Sequence, residues 1–291
     1  MNSTETSRTI FSAEEVWKED EHSELVFLRT AIVAFKGDTA YHGTTTARKK
    51  DIDKETVLKE LSPIPREDIY PQFSPHLTRA PEVYIKIPNL SLYSPGSKLD
   101  ISALLLHEAE IYEILREHPH PTLGRSLGSV VSEDGRITGL ALVKYDSTMF
   151  ERSFDPLSFG EEQANRCMEA LEAGVQHLHS LGLAHNDLSP LNVMFSDEGE
   201  PVLIDFDTCH PIGTTLTKGG CVGEWEDGIP VAVYENSSTE CDKAALEHMR
   251  MWLKKKYDGM QPENDTTIWE AKESDIKNAV DTPVTPSVSH S

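Results

Sequence analysis

HSLGLAHNDLSPLNVMFSDEGEPVLIDFDT, residues 179–208, is the stretch from which the rest of the chain can be read. Asp187 closes the triplet His185-Asn186-Asp187, Asn192 follows five residues later, and Asp205 stands thirteen residues beyond Asn192, at the end of the apolar run Pro201-Val202-Leu203-Ile204. That run has the length and bounds of a short buried strand. Asp197-Glu198-Gly199 is a turn signal before it, and Asn192-Val193-Met194-Phe195 is a second apolar piece before the turn. A loop feeding a hairpin brings Asp187, Asn192 and Asp205 together. Three oxygen-bearing side chains converging in this way suit a hard cation such as Mg²⁺ carried by phosphates, with one carboxylate left to accept a proton.

Outward from this stretch the periodicities are clear. Upstream, residues 159–180 place Ala164, Met168, Leu171, Val175 and Leu178 at steps of four, three, four and three, an amphipathic helix that Gly182 ends. Residues 101–117, ISALLLHEAEIYEILRE, predict a second helix with Glu108 on it. Residues 82–88 alternate as a strand carrying Lys86, and residues 128–132 and 138–143 form two further strands joined by a Glu133-Asp134-Gly135 turn. Residues 25–41 read as strand, Lys36-Gly37-Asp38 turn and strand, followed by a short helix over 55–61. Prolines at 63, 65, 71, 75 and 81 predict an extended connector that could also wrap the small lobe. Ser12-Ala13-Glu14-Glu15 resembles a helix start. Downstream, residues 213–228 are glycine-rich and include Trp225. Residues 242–257 predict a helix with Ala245, Leu246, Met249 and Leu253 inward, and the acidic Pro/Ser/Thr tail from 259 is expected to be disordered.

The formal net charge of −22 over 291 residues argues against a nucleic-acid or anionic-membrane partner, since like charges repel. Cys167, Cys209, Cys221 and Cys241 form no CxxC pair, which predicts reduced thiols in an intracellular compartment, cytoplasmic or nuclear. His118, His120, His177 and His179 lack a third ligand at useful spacing and read as surface or capping residues. MNSTETSRTI has no apolar core of a secretory signal, and no run reaches the roughly 20 residues that span a bilayer.

HNDLSPLN and Asp205-Phe206-Asp207 resemble the H-R-D-x-x-x-x-N and D-F-G motifs of the eukaryotic protein kinase superfamily. The strand with Lys86 resembles that family's V-A-I-K strand. HEAEIYEILREHPHP resembles its αC helix, and Ala141-Leu142-Val143-Lys144-Tyr145 resembles the strand entering the hinge. The resemblance covers roughly residues 82–257 and is closest to small protein-kinase-like proteins of filamentous fungi. It implies an α+β, bilobal fold: a small antiparallel sheet with one helix, then an abbreviated, mainly helical C-terminal lobe. It also implies ATP and Mg²⁺ as cofactors and an unidentified protein substrate. Asp187 would be the base, Asn192 and Asp205 would hold the metal, Lys86 would contact phosphates, Glu108 would fix Lys86, and the backbone near Lys144 and Tyr145 would meet adenine. The segments that follow are 1–24, polar; 25–81, hairpin and connector; 82–146, small-lobe core; 147–258, large lobe; and 259–291, tail.

The departures from the pattern are specific. Asn186 replaces the arginine of H-R-D, Ser189 the usual lysine two residues after the base, and Asp207 the glycine of D-F-G. No G-x-G-x-x-G precedes Lys86, and 86 residues follow Asp205 without an A-P-E. Transfer to a Ser or Thr hydroxyl is the leading expectation. A pseudokinase or ATP-binding interaction module is the first alternative, and a small-molecule phosphotransferase of the aminoglycoside or choline kinase type is the second.

Overall fold

The computed structural model describes residues 8–19, 24–79, 85–96, 99–155, 159–223 and 232–258. Its N-terminal part holds two separate sheets. The first has the order β1-β2-β3-β4, with β1 Thr9–Glu19, β2 Leu25–Lys36, β3 Thr39–Thr45 and β4 Ser62–Pro63. β2 and β3 pair from Thr30↔Thr45 to Lys36↔Thr39 around the two-residue turn Gly37-Asp38, where Gly37 takes φ 55°. The second sheet has the order β5-β7-β6, with β5 Ile85–Lys86, β6 Ser126–Val131 and β7 Ile137–Leu142.

The helix expected to start at Ser12-Glu15 is instead strand β1. Its pairing with β2 runs from Thr9↔Phe35 to Glu19↔Leu25, and edge-on ring pairs Phe11–Phe35 and Trp17–Phe27 reinforce it. Glu15, read as a helix-start acid, accepts from Arg48 and from the Lys49 backbone N–H at 2.8 Å each. Cross-strand partners outweigh a local helix signal here.

Among the described residues the 25–41 hairpin does not pair with β5, which pairs with β7. The proline-rich connector is not simply extended either. It contains α2, Arg66–Ile69, buries Ile64, Ile69, Tyr70 and Leu77, and then runs beside the β6–β7 hairpin. Ile137 N–H donates to the Pro71 carbonyl (2.8 Å), Phe73 N–H to Gly135 (2.8 Å) and Ser129 N–H to Thr78 (2.6 Å). The short helix predicted over 55–61 is α1, Lys54–Glu60.

α3, Ile101–Glu117, starts on Asp100, whose carboxylate accepts from the Ala103 N–H at 2.9 Å. It buries Leu105, Glu108, Ala109, Ile111, Tyr112 and Leu115, while Ile114 is exposed. The larger lobe comprises α4 Met149–Arg152, α5 Glu161–Ser180 and α6 Thr239–Asp258. Between the last two lie paired short strands: β8 Leu183–Ala184 with β11 His210–Pro211, β9 Val193–Phe195 with β10 Pro201–Leu203, and β12 Cys221–Val222 with β13 Ala232–Val233. Met168, Leu171, Val175 and Leu178 of α5 share one core with Ala245, Leu246, Met249 and Leu253 of α6. That core continues through Phe206 and Tyr112 into β7, so α3 and the hairpin loop after β10 are packed as one body. The expectations for Glu82 to Tyr84, Trp225, Gly228 and the tail from 259 lie outside the described residues. Among the described residues no helix is long and apolar enough to cross a membrane.

Gly139 of β7 sets how closely β5 can approach. A Cβ there would sit 2.5 Å from Ile85 Cγ2 and 2.7 Å from the Lys86 carbonyl oxygen, and the latter is backbone that cannot swing away. Gly139→Ala is therefore expected to lower unfolding free energy in urea by about 2 kcal/mol through overpacking. A change below a few tenths would show that the strands separate freely.

Candidate active site

The cation comes from β5. Lys86 Nζ donates to Glu108 Oε1 and Oε2 at 2.7 and 2.8 Å and to Asp205 Oδ1 at 2.8 Å. Three elements distant in sequence, β5, α3 and the loop after β10, thus meet at one ammonium. The predicted pairing of Lys86 with Glu108 is present, and Asp205 shares the same lysine. Burial alone would depress the Lys86 pKa, but the two carboxylates outweigh it and hold the ammonium well above its usual value. Asp205 feels burial in the opposite sense, and Lys86 wins, leaving its carboxyl below the usual range. Glu108, 2% exposed, is the loser of the competition: burial pushes it up to about 7, only partly countered by Lys86 and aggravated by Asp205.

The base and metal candidates are held by backbone geometry. Asn192 Nδ2 donates to the Asp187 carbonyl (2.8 Å) and to Asp187 Oδ2 (3.1 Å), which leaves the Asn192 amide oxygen open to a cation. Ile204 N–H donates to the Asn192 carbonyl at 2.9 Å, and this sets Asp205 beside the loop. Asp205 has φ 64° and Asn186 φ 63°, a left-handed conformation that costs an ordinary side chain and is better tolerated by Asn and Asp. His185 Nε2 donates to the Ile204 carbonyl at 3.0 Å, tying the residue before the strained Asp205 to the loop that carries Asp187. Burial raises the Asp187 pKa, with a further push from Asp205 and a counter-pull from His185. Lys144 and Tyr145 lie just past β7, where Val143 N–H donates to Arg125 O at 3.0 Å and Tyr145 Oη accepts from Arg125 N–H at 3.3 Å.

Two residues of the site escaped sequence reasoning. Asp242, in the first turn of α6 and fully buried, accepts from His185 N–H (2.9 Å), Asn186 N–H (2.8 Å) and His179 Nε2 (2.8 Å). It clamps the backbone immediately before Asp187. In the sequence it looks like any acid at a helix start. Lys218 forms an ion pair with Asp207, the residue in place of glycine. Asn186, the replacement for arginine, fills its space with amide bonds to Ala184 O (2.8 Å), Thr208 O (3.0 Å) and Ser237 Oγ (3.0 Å). The helix α3 is fastened to the same region by His107, whose Nε2 donates to Cys209 O at 2.6 Å and whose ring stacks on His210 at 4.1 Å.

The donor set suits Mg²⁺. It offers the Asn192 amide oxygen and the Asp205 carboxylate, and Asp207 Oδ1 is buried with no hydrogen-bond partner among the described residues. An orphaned anionic oxygen at this place is what a hard cation would satisfy. His177 Nε2 donates to His118 O at 2.9 Å, and its ring stacks on that of His120 at 5.1 Å.

Residues 85–225 match the protein kinase domain family. The chain is 30% identical over 105 residues to a probable myosin light chain kinase of Dictyostelium discoideum, covering 35% of this chain and 30% of that protein. It is 31% identical over 94 residues to ribosomal protein S6 kinase 2 beta of Xenopus laevis, covering 32% and 15%. Over 52 residues it is 42% identical to the serine/threonine-protein kinase shk1/pak1 of Schizosaccharomyces pombe, covering 18% and 8%. The alignments span less than a third of each relative's length.

Glu108 gives a pH prediction. Its folded-state pKa lies above that of an unfolded glutamate, so its contribution to stability is full below the unfolded value and is lost as pH rises through about 7. The stability of wild type relative to Glu108→Gln should therefore fall between pH 5 and 7.5, by on the order of 3 kcal/mol. A difference that is flat or rises over this range would contradict the assignment.

Proposed function

We propose, from the premise that residues 85–225 belong to the eukaryotic protein kinase superfamily, that this chain is an ATP-dependent protein kinase acting on Ser or Thr hydroxyls. The observation that carries the proposal is the three-way junction of Lys86, Glu108 and Asp205, because it sets the lysine, the helix and the metal loop in one working arrangement. The relatives' printed names include serine/threonine kinases, which supports the choice of acceptor.

In this reading Lys86 binds the phosphates, with Glu108 fixing its ammonium. Asn192 and Asp205 hold Mg²⁺, joined by Asp207, whose buried Oδ1 needs a partner. Held there, a Mg²⁺ would supply positive charge to neutralise the phosphates. Asp187 accepts the acceptor hydroxyl's proton as the new oxygen–phosphorus bond forms and the bond to the leaving diphosphate breaks. Its raised pKa brings its basicity nearer to working pH. Asn192 steadies the base by its bond to Asp187 Oδ2. The backbone around Lys144 and Tyr145 is assigned to the adenine edge. The setting we assign is intracellular, cytoplasmic or nuclear, in keeping with four cysteines of which burial pushes Cys167 and Cys241 up to about 12, far from reactive thiolates.

The second reading, an ATP-binding module without useful transfer, is favoured by Ser189, which leaves the catalytic loop without its lysine. The two separate on nucleotide-dependent thermal shift and γ-phosphate transfer, measured on wild type, Asp187→Ala and Asp205→Ala. A kinase binds Mg-ATP, and Asp187→Ala keeps that binding while transfer drops about a thousandfold or more. Asp205→Ala loses the metal-dependent part of the binding. Binding in wild type with no transfer to any protein, including itself, decides for the module. Transfer confined to a small soluble hydroxyl compound decides for a metabolite phosphotransferase.

A further inference from the structure

The site carries more negative charge than Lys86 can offset. Glu108, Asp205, Asp187 and Asp207 act on one another there, and Lys86 is already committed to the first two. Ser189 offers no charge to an arriving phosphoryl group. A second ammonium does reach the site, from a different part of the chain. Lys218, in the loop between β11 and β12, pairs with Asp207, and the two side chains are 32% and 17% exposed. Asp207 lies two residues after Asp205, and the chain just past Lys218 is bonded to Asn186, the neighbour of Asp187, so this ammonium is carried beside both the base and the metal candidate.

That position is built into the backbone. Gly219 and Gly220 follow Lys218 with φ +78° and +79°, both left-handed. A Cβ on Gly219 would lie 3.0 Å from the Asn186 carbonyl oxygen and from the Thr208 side chain, and one on Gly220 would lie 2.3 Å from the Tyr234 carbonyl oxygen. Gly220 N–H donates to Asn186 O at 2.7 Å, and Tyr234 N–H donates to Gly220 O at 2.8 Å. The strand of chain that delivers Lys218 is thus pressed against the residue immediately before Asp187. Two successive glycines are what permit that approach.

We propose that Lys218 is a second phosphate-contacting cation beside Lys86, supplying from the downstream loop the charge that Ser189 does not, with Asp207 as the residue that positions it. The proposal rests on the kinase reading. In the transfer, the proton of the acceptor hydroxyl passes to Asp187, the oxygen–phosphorus bond forms and the bond to the ADP oxygen breaks. Lys218 keeps its proton throughout and balances charge on the phosphoryl oxygens. A cation there is felt by a triphosphate more than by a diphosphate.

The test uses the full chain as wild type, Lys218→Met, Lys218→Arg and the double variant Lys218→Met/Ser189→Lys. Calorimetric affinities are measured for Mg-ADP and for the magnesium complex of β,γ-imido-ATP, alongside kcat. Lys218→Met should weaken the triphosphate about tenfold while leaving Mg-ADP within about twofold. It should also lower kcat about a hundredfold. Lys218→Arg should keep most of both, and Ser189→Lys should restore the triphosphate preference in the Lys218→Met background. An equal loss for both nucleotides with a lowered Tm would mean that Lys218 only braces Asp207, and the proposal would fall. An unchanged ratio in a wild type that binds both nucleotides would overturn this inference alone. A wild type that binds neither would overturn it together with the kinase reading.

Discussion

One ammonium serving two carboxylates is the constraint on which the site depends. Lys86 holds the buried Glu108 and the partly exposed Asp205, and the carboxylate oxygens it touches are all within 2.8 Å. A single cation cannot fully compensate two buried anions, so Glu108 is left hard to ionise. The arrangement persists because each partner is fixed by something else: α3 by Tyr112 against Phe206 and by His107 on the Cys209 carbonyl, β5 by its pairing with β7, and Asp205 by the Ile204 bonds to Asn192 and His185. Packing and backbone hydrogen bonds hold an electrostatic deficit that a metal and phosphates would relieve.

The same logic explains the departures in the loops. Asn186 substitutes amide bonds to neutral oxygens for an arginine's charge, which keeps the turn before Asp187 folded around Asp242. Asp207 adds a carboxyl where glycine is usual in the family that residues 85–225 match, and Lys218 answers one of its oxygens. These changes are mutually compensating in the structure. Added anions around Lys86 raise the local demand for cations, and the glycine pair at 219–220 lets the chain that carries Lys218 approach closely.

The site was largely legible because its members sit in short local patterns. Asp187, Asn192 and Asp205 follow from one thirty-residue stretch, and Glu108 from a helix whose predicted bounds, 101–117, are those observed. Asp242 and Lys218 were not legible, since their partners lie 56 and 11 residues away and nothing in their neighbourhoods distinguishes them from surface charges. At the N-terminus local chemistry was misleading. Ser12-Ala13-Glu14-Glu15 has the composition of a helix start, but the long β2 strand supplies a ladder and aromatic partners that a short isolated helix could not match. The connector was legible as non-helical for most of its length. Its docking along the β6–β7 hairpin depends on backbone donors on Phe73, Ser129 and Ile137 that no composition reveals.

The proposed function requires that this acidic site accept phosphates only with a metal to neutralise them. The most direct measurement is calorimetric titration of the full chain with ATP in excess Mg²⁺ and again in chelator, at equal ionic strength. ATP without the metal is expected to bind at least about tenfold more weakly, a loss of about 1.4 kcal/mol or more. Equal affinity in the two conditions would show that Asn192, Asp205 and Asp207 hold no cation and that the carboxyls around Lys86 serve another purpose.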